Sequence, residues 1–150
     1  MKNITIKGFE FEHKYNNQFV SLYVNDDLQF AICIANEEYI PIDNFKEVFL
    51  TATEYIEKHK IKYFLFDKQK LRTFHQPSME WYFAIWKQTV KKKGLTNHYK
   101  ILPLLDWFEK AVEAGKYEIL KKYSPDILNG INIKYIGTIE EAIDDIQSKT

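Results

Sequence analysis

Arg72 is the one arginine among the 21 basic residues of the chain, and it lies in a loop rich in reactive side chains. The stretch Lys68-Gln69-Lys70-Leu71-Arg72-Thr73-Phe74-His75-Gln76 follows Asp67, which ends an apolar run, and Ser78 stands just beyond it. A guanidinium forks onto carboxylate or phosphate in a geometry that an ammonium does not match. Asp67, Arg72, His75 and Ser78 are therefore candidate residues of an anion-recognising loop. Two plainer readings stand beside that one. Arg72 can pair with Asp67 or Glu80 to fix the loop, and Asp67 can cap its own turn. An acid–base pair of Asp67 with His75 requires hydrogen-bond reach, a distance that sequence does not give.

The segment opened by Pro77 carries the second anomaly. At about 100° per residue, Met79, Tyr82, Phe83, Trp86 and Val90 gather on one side of a helix, with Trp81 and Ile85 well round from its centre. So wide an apolar arc needs more than a sheet to cover it. A neighbouring helix, a subunit interface or an apolar ligand pocket would each serve, and Trp81 and Ile85 are the candidate interface or pocket residues.

Other chemistry finds little support. His13, His59, His75 and His98 show no His-x-His or His-x-x-x-His spacing, so no metal site is predicted. Cys33 is the single cysteine, which excludes an internal disulfide and a cysteine metal cluster; within Leu28–Ile34 it reads as a buried thiol. No glycine-rich phosphate loop and no Gly-x-Ser-x-Gly elbow appears, so neither a cofactor nor a catalytic role is expected. The runs Lys91–Lys93 and Lys121–Lys122 read as solvated or helix-capping cations.

The chain has 150 residues, and its 21 Lys+Arg balance 21 Asp+Glu. Such neutrality argues against salt-driven binding to nucleic acid. The length suits one domain able to bury roughly 70% of its unfolded surface. Charge interrupts Met1 to Glu12, so no signal peptide is read there, and no apolar run is long enough for a membrane span. A cytoplasmic protein is expected.

Apolar periodicity supplies the elements that must position these residues. Phe9–Glu12, Phe19–Val24 and Leu28–Ile34 alternate as strands, joined by Tyr15–Gln18 and Asn25–Asp27 as turns. After Pro41 the period changes from two to about 3.6. Asp43 can cap a helix whose stripe is Phe45, Val48, Phe49, Ala52 and Ile56. Ile61–Phe66 is a central strand, Pro77–Lys93 a helix closed by Gly94, and Tyr99–Leu102 a strand. An amphipathic helix follows from about Leu104; Lys116 to Tyr123 either continues it or forms another turn, and Pro125 stops it. Ile131–Tyr135 is a half-exposed strand, and Thr138-Ile139-Glu140-Glu141 is a capping box before a last helix. The order β-β-β-α-β-α-β-α-β-α predicts a single α/β domain: a mixed sheet with an N-terminal antiparallel meander, then alternating β/α elements whose helices pack on the sheet.

In that order, the stretch from about Phe45 to Ile146 resembles the STAS domains, especially the STAS/SEC14-like proteins related to bacterial anti-sigma-factor antagonists. The features that carry the resemblance are Ile61 to Asp67, a loop, and Pro77-Ser78-Met79-Glu80-Trp81 opening a helix that holds Trp86. Gly137-Thr138-Ile139-Glu140-Glu141-Ala142 is similar to the family's closing segment. The resemblance implies a non-catalytic regulatory or interaction module acting on a protein partner or on itself as a homodimer. It also implies a phosphorylated serine at the start of the second helix. Ser78 holds that place, although Pro77 before it and Glu80-Trp81 after it depart from the family pattern. The alternative, drawn from the aromatic helix and the Asp67–Gln76 loop, is a carrier or sensor of a small apolar or anionic metabolite, lipid-like or nucleotide-like; the SEC14 side of the resemblance, whose members bind lipids, implies the apolar pocket.

Overall fold

A computed structural model describes residues 2–149 of the chain. Seven strands form one sheet in simple chain order, β1 to β7. The strands β1 (Ile4–Ile6), β2 (Phe9–Asn16), β3 (Val20–Asn25) and β4 (Phe30–Ala35) are antiparallel. From β4 the pairing turns parallel, through β5 (Tyr63–Asp67) and β6 (Asn97–Ile101) to β7 (Asn132–Tyr135). The mixed α/β sheet expected from the element order is the one observed.

The meander is one strand longer than the sequence pattern predicts. Lys7 and Gly8 sit at φ 52° and 82°, the doubly left-handed geometry of a two-residue hairpin, and they return the chain from β1 to β2. Side chains shape the next two turns. The Asn17 Oδ1 accepts from the amides of Phe19 at 2.8 Å and Val20 at 3.0 Å; the Asn25 Oδ1 accepts from Leu28 N at 2.8 Å.

Each parallel crossover advances one strand in the same direction. Connections of one hand must then place their helices on one face. There lie α1 (Ile42–His59), the stretch 76–92 and α4 (Asp106–Tyr123), packed over Leu22, Ala31, Cys33, Phe64 and Phe66. The opposite face is covered by α5 (Ile139–Ser148), whose Ala142, Ile143 and Ile146 meet Phe30, Ile32, Leu65 and Ile101. β5 is buried from both sides, as its apolar run requires.

Helix ends follow the sequence in part. Pro41, with no side-chain cap, precedes α1; Asp43 sits inside the first turn, where a carboxylate complements the helix dipole. At α5, Thr138 Oγ1 accepts from Glu141 N at 3.1 Å. The Glu141 carboxylate reaches back to Gly137 N, also at 3.1 Å.

The stretch 76–92 is less regular than a 3.6-residue period implies. It runs as α2 (Gln76–Trp81), a π turn (Tyr82–Trp86) and α3 (Lys87–Lys92). Lys87 N bonds back to Tyr82 O, five residues earlier. This wider turn re-aims the side chains after it, and it accounts for the wide arc. Tyr82, Phe83, Trp86 and Val90 are buried, whereas Ile85 faces solvent. Trp86 stacks on Tyr82 at 5.3 Å, meets Phe49 edge-on at 4.8 Å, and donates its indole N–H to Phe49 O at 2.9 Å. Intramolecular packing thus takes most of the aromatic surface. No helix among the described residues is long and apolar enough to cross a membrane. Trp86→Ala is expected to cost about 3–5 kcal/mol of folding stability, read from urea midpoints, because it opens a cavity where α1, the π turn and β5 meet.

Candidate functional site

The predicted loop closes on itself. Asp67 ends β5 and is nearly buried; its Oδ1 accepts from Gln69 N at 3.0 Å, and both its oxygens accept from Gln69 Nε2 at 3.1 Å. Asp67 therefore caps its own turn. Arg72 donates to the carbonyls of Gln69 at 2.9 Å and Leu71 at 2.8 Å, holding the loop backbone. The ion pair expected from Arg72 to Asp67 or Glu80 does not form, because Gln69 and backbone oxygens lie closer to hand. Glu80 takes Lys122 at 2.6 Å and the Tyr123 hydroxyl at 2.5 Å. His75 and Ser78 do meet. His75 Nδ1 caps α2, accepting from Ser78 N at 3.3 Å, with Ser78 Oγ at 2.7 Å. Ser78 is buried in this arrangement.

Trp81 is half-buried, edge-on to Phe45 at 6.1 Å, with Lys46 Nζ 5.8 Å from its ring. With Ile85 it lines a shallow hollow that also takes in Ile42, Pro77, Glu80 and Tyr123. The structure thus separates the six residues singled out from sequence into a turn cap, a helix cap, a loop clamp and a surface hollow.

A different set of residues converges. Parallel register sets Phe66, Lys100 and Tyr135 in one row across β5, β6 and β7; Phe64, His98 and Ile133 form the row below. Both rows face the side carrying the π turn and α4. Lys100 is fully buried there, as are Lys87 at the start of α3 and Lys68 just after β5. The three ammonium groups surround one ring: Lys87, Lys100 and Lys68 Nζ lie 4.6, 5.2 and 5.8 Å from the Tyr82 centroid. Lys100 Nζ also sits 4.2 Å from the Phe83 ring. Lys68 finds a weak partner in Met79 Sδ at 3.6 Å. Lys87 Nζ, Lys100 Nζ, the Tyr82 hydroxyl and both His98 nitrogens have no hydrogen-bond partner among the described residues.

Three buried amines without a counter-ion are costly, since removing one ammonium from water costs several kcal/mol. Burial pushes the Lys68 amine down to about 8. Burial first, then the neighbouring Lys68, holds Lys87 and Lys100 well below the ordinary lysine range; Glu113 alone pulls Lys100 the other way. His98 is held well below its usual value by burial and by Lys87 and Lys100.

Lys100 is also the floor of an open cleft of about 460 Å³. The cleft lies beyond the carboxyl ends of β6 and β7, where ligands bind in sheets with parallel strands. Leu102, Pro103, Leu104 and Leu105 form one side and Tyr135 and Ile136 another. Asp106, Glu109 and Glu113, at i, i+3 and i+7 on α4, form the third. Leu104 projects entirely into solvent at the mouth. The volume is that of a small-molecule site. Chemically, Lys100 at the base of the cleft can receive an anion, and a carboxylate or phosphate there would supply the missing counter-charge. Among the described residues no group of His, Cys, Asp and Glu is arranged to hold a metal ion.

Sequence carried a signal for this site that reading by motif passes over. His98 and Lys100 alternate with Tyr99 and Ile101 in a strand covered on both faces, so two polar side chains had to point into a core. Lys87 falls on the apolar side of its helix, between Phe83 and Val90.

Fold and site together define an α/β protein with a lysine-floored cleft at the carboxyl edge of its parallel strands. No protein-family model, curated protein or solved structure matches the chain.

The lowered Lys100 pKa fixes the sign of a stability effect. Between its folded value and 10.5, the unfolded chain holds a proton that the folded chain has lost, so native stability rises with pH across that window. Lys68 adds the same trend above about pH 8. Lys100→Met removes this penalty and is expected to stabilise the protein by about 1–4 kcal/mol near pH 6. Its advantage over the parent should shrink on going to about pH 9, as followed by urea unfolding at each pH. A difference that stays constant with pH would contradict the lowered pKa.

Proposed function

We propose that the chain is a non-catalytic binding module of STAS-like element order that carries or senses a small anionic molecule in the cleft above Lys100. The observation that carries this reading is Lys100, which lines an open cleft and whose amine is buried without a hydrogen-bond partner among the described residues. Lys87 and Lys68 stand behind it around the same Tyr82 ring. A bound anion restores the protonated form of the amines, so binding and proton uptake are linked. Native mass spectrometry of protein purified gently from its host is expected to show an added acidic mass that Lys100→Met lacks. In parallel, a panel of carboxylates and phosphates should raise the melting temperature of the parent and leave that of Lys100→Met unmoved. Saturation at about 100 times Kd stabilises by about 2.7 kcal/mol, a readily measured shift. Equal responses from both proteins would remove the reading.

Self-association, in keeping with an interaction module, is supported by one observation of its own. Ile85 is 52% exposed beside the half-buried Trp81, on the outer side of the π turn. If this face pairs two copies, sedimentation equilibrium will give a dimer for the parent and a monomer for Ile85→Asp. A monomeric parent would dispose of this second reading and leave the cleft untouched.

A further inference from the structure

The anion reading leaves one wall of the cleft unexplained. Asp106, Glu109 and Glu113 line it from a single face of α4, and none of their carboxylates forms an ion pair or hydrogen bond among the described residues. A second hollow, lined by Asp106, Glu109, Lys110 and Glu113, continues outward along the same helix. A simple anion approaching Lys100 must pass this acidic wall. Opposite it stands Tyr135, whose hydroxyl is held in its neutral form by burial and by Glu113 and Glu109, which places those carboxylates within electrostatic reach of it. Glu113 is likewise the carboxylate that acts on Lys100.

The cleft therefore sets one lysine, Lys100, against the carboxylates of Asp106, Glu109 and Glu113, with Leu102, Leu105 and Ile136 also in its lining. A site with that arrangement favours the complementary dipole, because each end of such a ligand meets the opposite charge. A monoanion satisfies only the floor and a monocation only the wall. Resting on the anion reading above, we infer that the ligand is an ammonium carboxylate, an amino acid or short peptide, with its carboxylate on Lys100 and its ammonium against Glu109 and Glu113. The aliphatic side chains and Tyr135 hold its apolar body. Leu104, fully exposed at the mouth, is placed to cover that body from the solvent side.

The test compares three matched series by amide chemical-shift titration of the intact protein, followed at Leu102, Leu104 and Tyr135. One series is phenylalanine with γ-aminobutyrate, ε-aminocaproate and longer ω-amino acids, whose graded length covers the span from floor to wall. The others are the carboxylates lacking the amine and the amines lacking the carboxylate. A charge-assisted hydrogen bond contributes about 1.5–3 kcal/mol, so the best amino acid should bind about tenfold or more tightly than either counterpart. Lys100→Met should bring its affinity down to that of the amine. Glu113→Gln, a change at an exposed position that leaves the fold intact, should bring it down to that of the carboxylate. If carboxylates bind as tightly as amino acids and Lys100→Met abolishes both, the dipolar ligand is refuted while the anion site stands. Amino-acid binding that is indifferent to Lys100→Met, or no saturable shift in any series, refutes both.

Discussion

Three crossovers that each advance one strand in the same direction leave the helices no choice of face, and everything else in this molecule follows from that crowding. α1, the stretch 76–92 and α4 must share one side of a seven-stranded sheet, while α5 has the other to itself. The shared side is filled with aromatic rings because rings bury the most area per residue ordered. Phe49, Phe64, Phe66, Tyr82 and Trp86 meet in edge-on, tilted and stacked contacts about the middle of the sheet. The π turn belongs to this packing: Tyr82 and Trp86 stack across it, and Lys87 follows it with its amine on the Tyr82 ring.

The same crowding creates the electrostatic problem. A strand between two helical layers buries both of its faces, so β6 carries His98 and Lys100 inward with Tyr99 and Ile101 outward toward α5. Lysines normally escape burial by extending their stems to solvent. Here the rings of Tyr82 and Phe83 and the ends of three elements close around them. The result is a cluster of amines whose mutual repulsion and desolvation favour the neutral form, next to a cleft at the carboxyl edge of the parallel strands. Functional sites are commonly where a fold tolerates such local unfavourable energy. The cluster and the cleft coincide at Lys100.

Motif reading and periodicity differ sharply in how far they reach here. Element type and order were legible from apolar spacing, down to the buried central strand ending at Asp67, the Gly94 stop and the Thr138 cap. What escaped was local: a three-residue β1 too short to alternate visibly, and a π turn whose extra residue breaks the 3.6 period it is read against. Arg72 drew notice as the lone guanidinium, yet it clamps two carbonyls of its own loop. His75 and Ser78 became partners in a helix cap. Chemically distinctive side chains in a loop had nearby backbone to satisfy them, and that backbone claimed them.

Composition and periodicity alone determined an α/β chain with a mixed sheet, because the step from period two to 3.6 and back is written in the residues themselves. Which polar side chains lack partners depends on what lies opposite them across the sheet and in the next helix. Lys68, Lys87 and Lys100 stand 19 and 13 residues apart in sequence and read there as ordinary surface cations. Only parallel register and the three helices crowded on one face bring them around one tyrosine ring, beside the acidic face of α4. Burial converts them from solvated charges into a site, and burial is a property of the assembled fold.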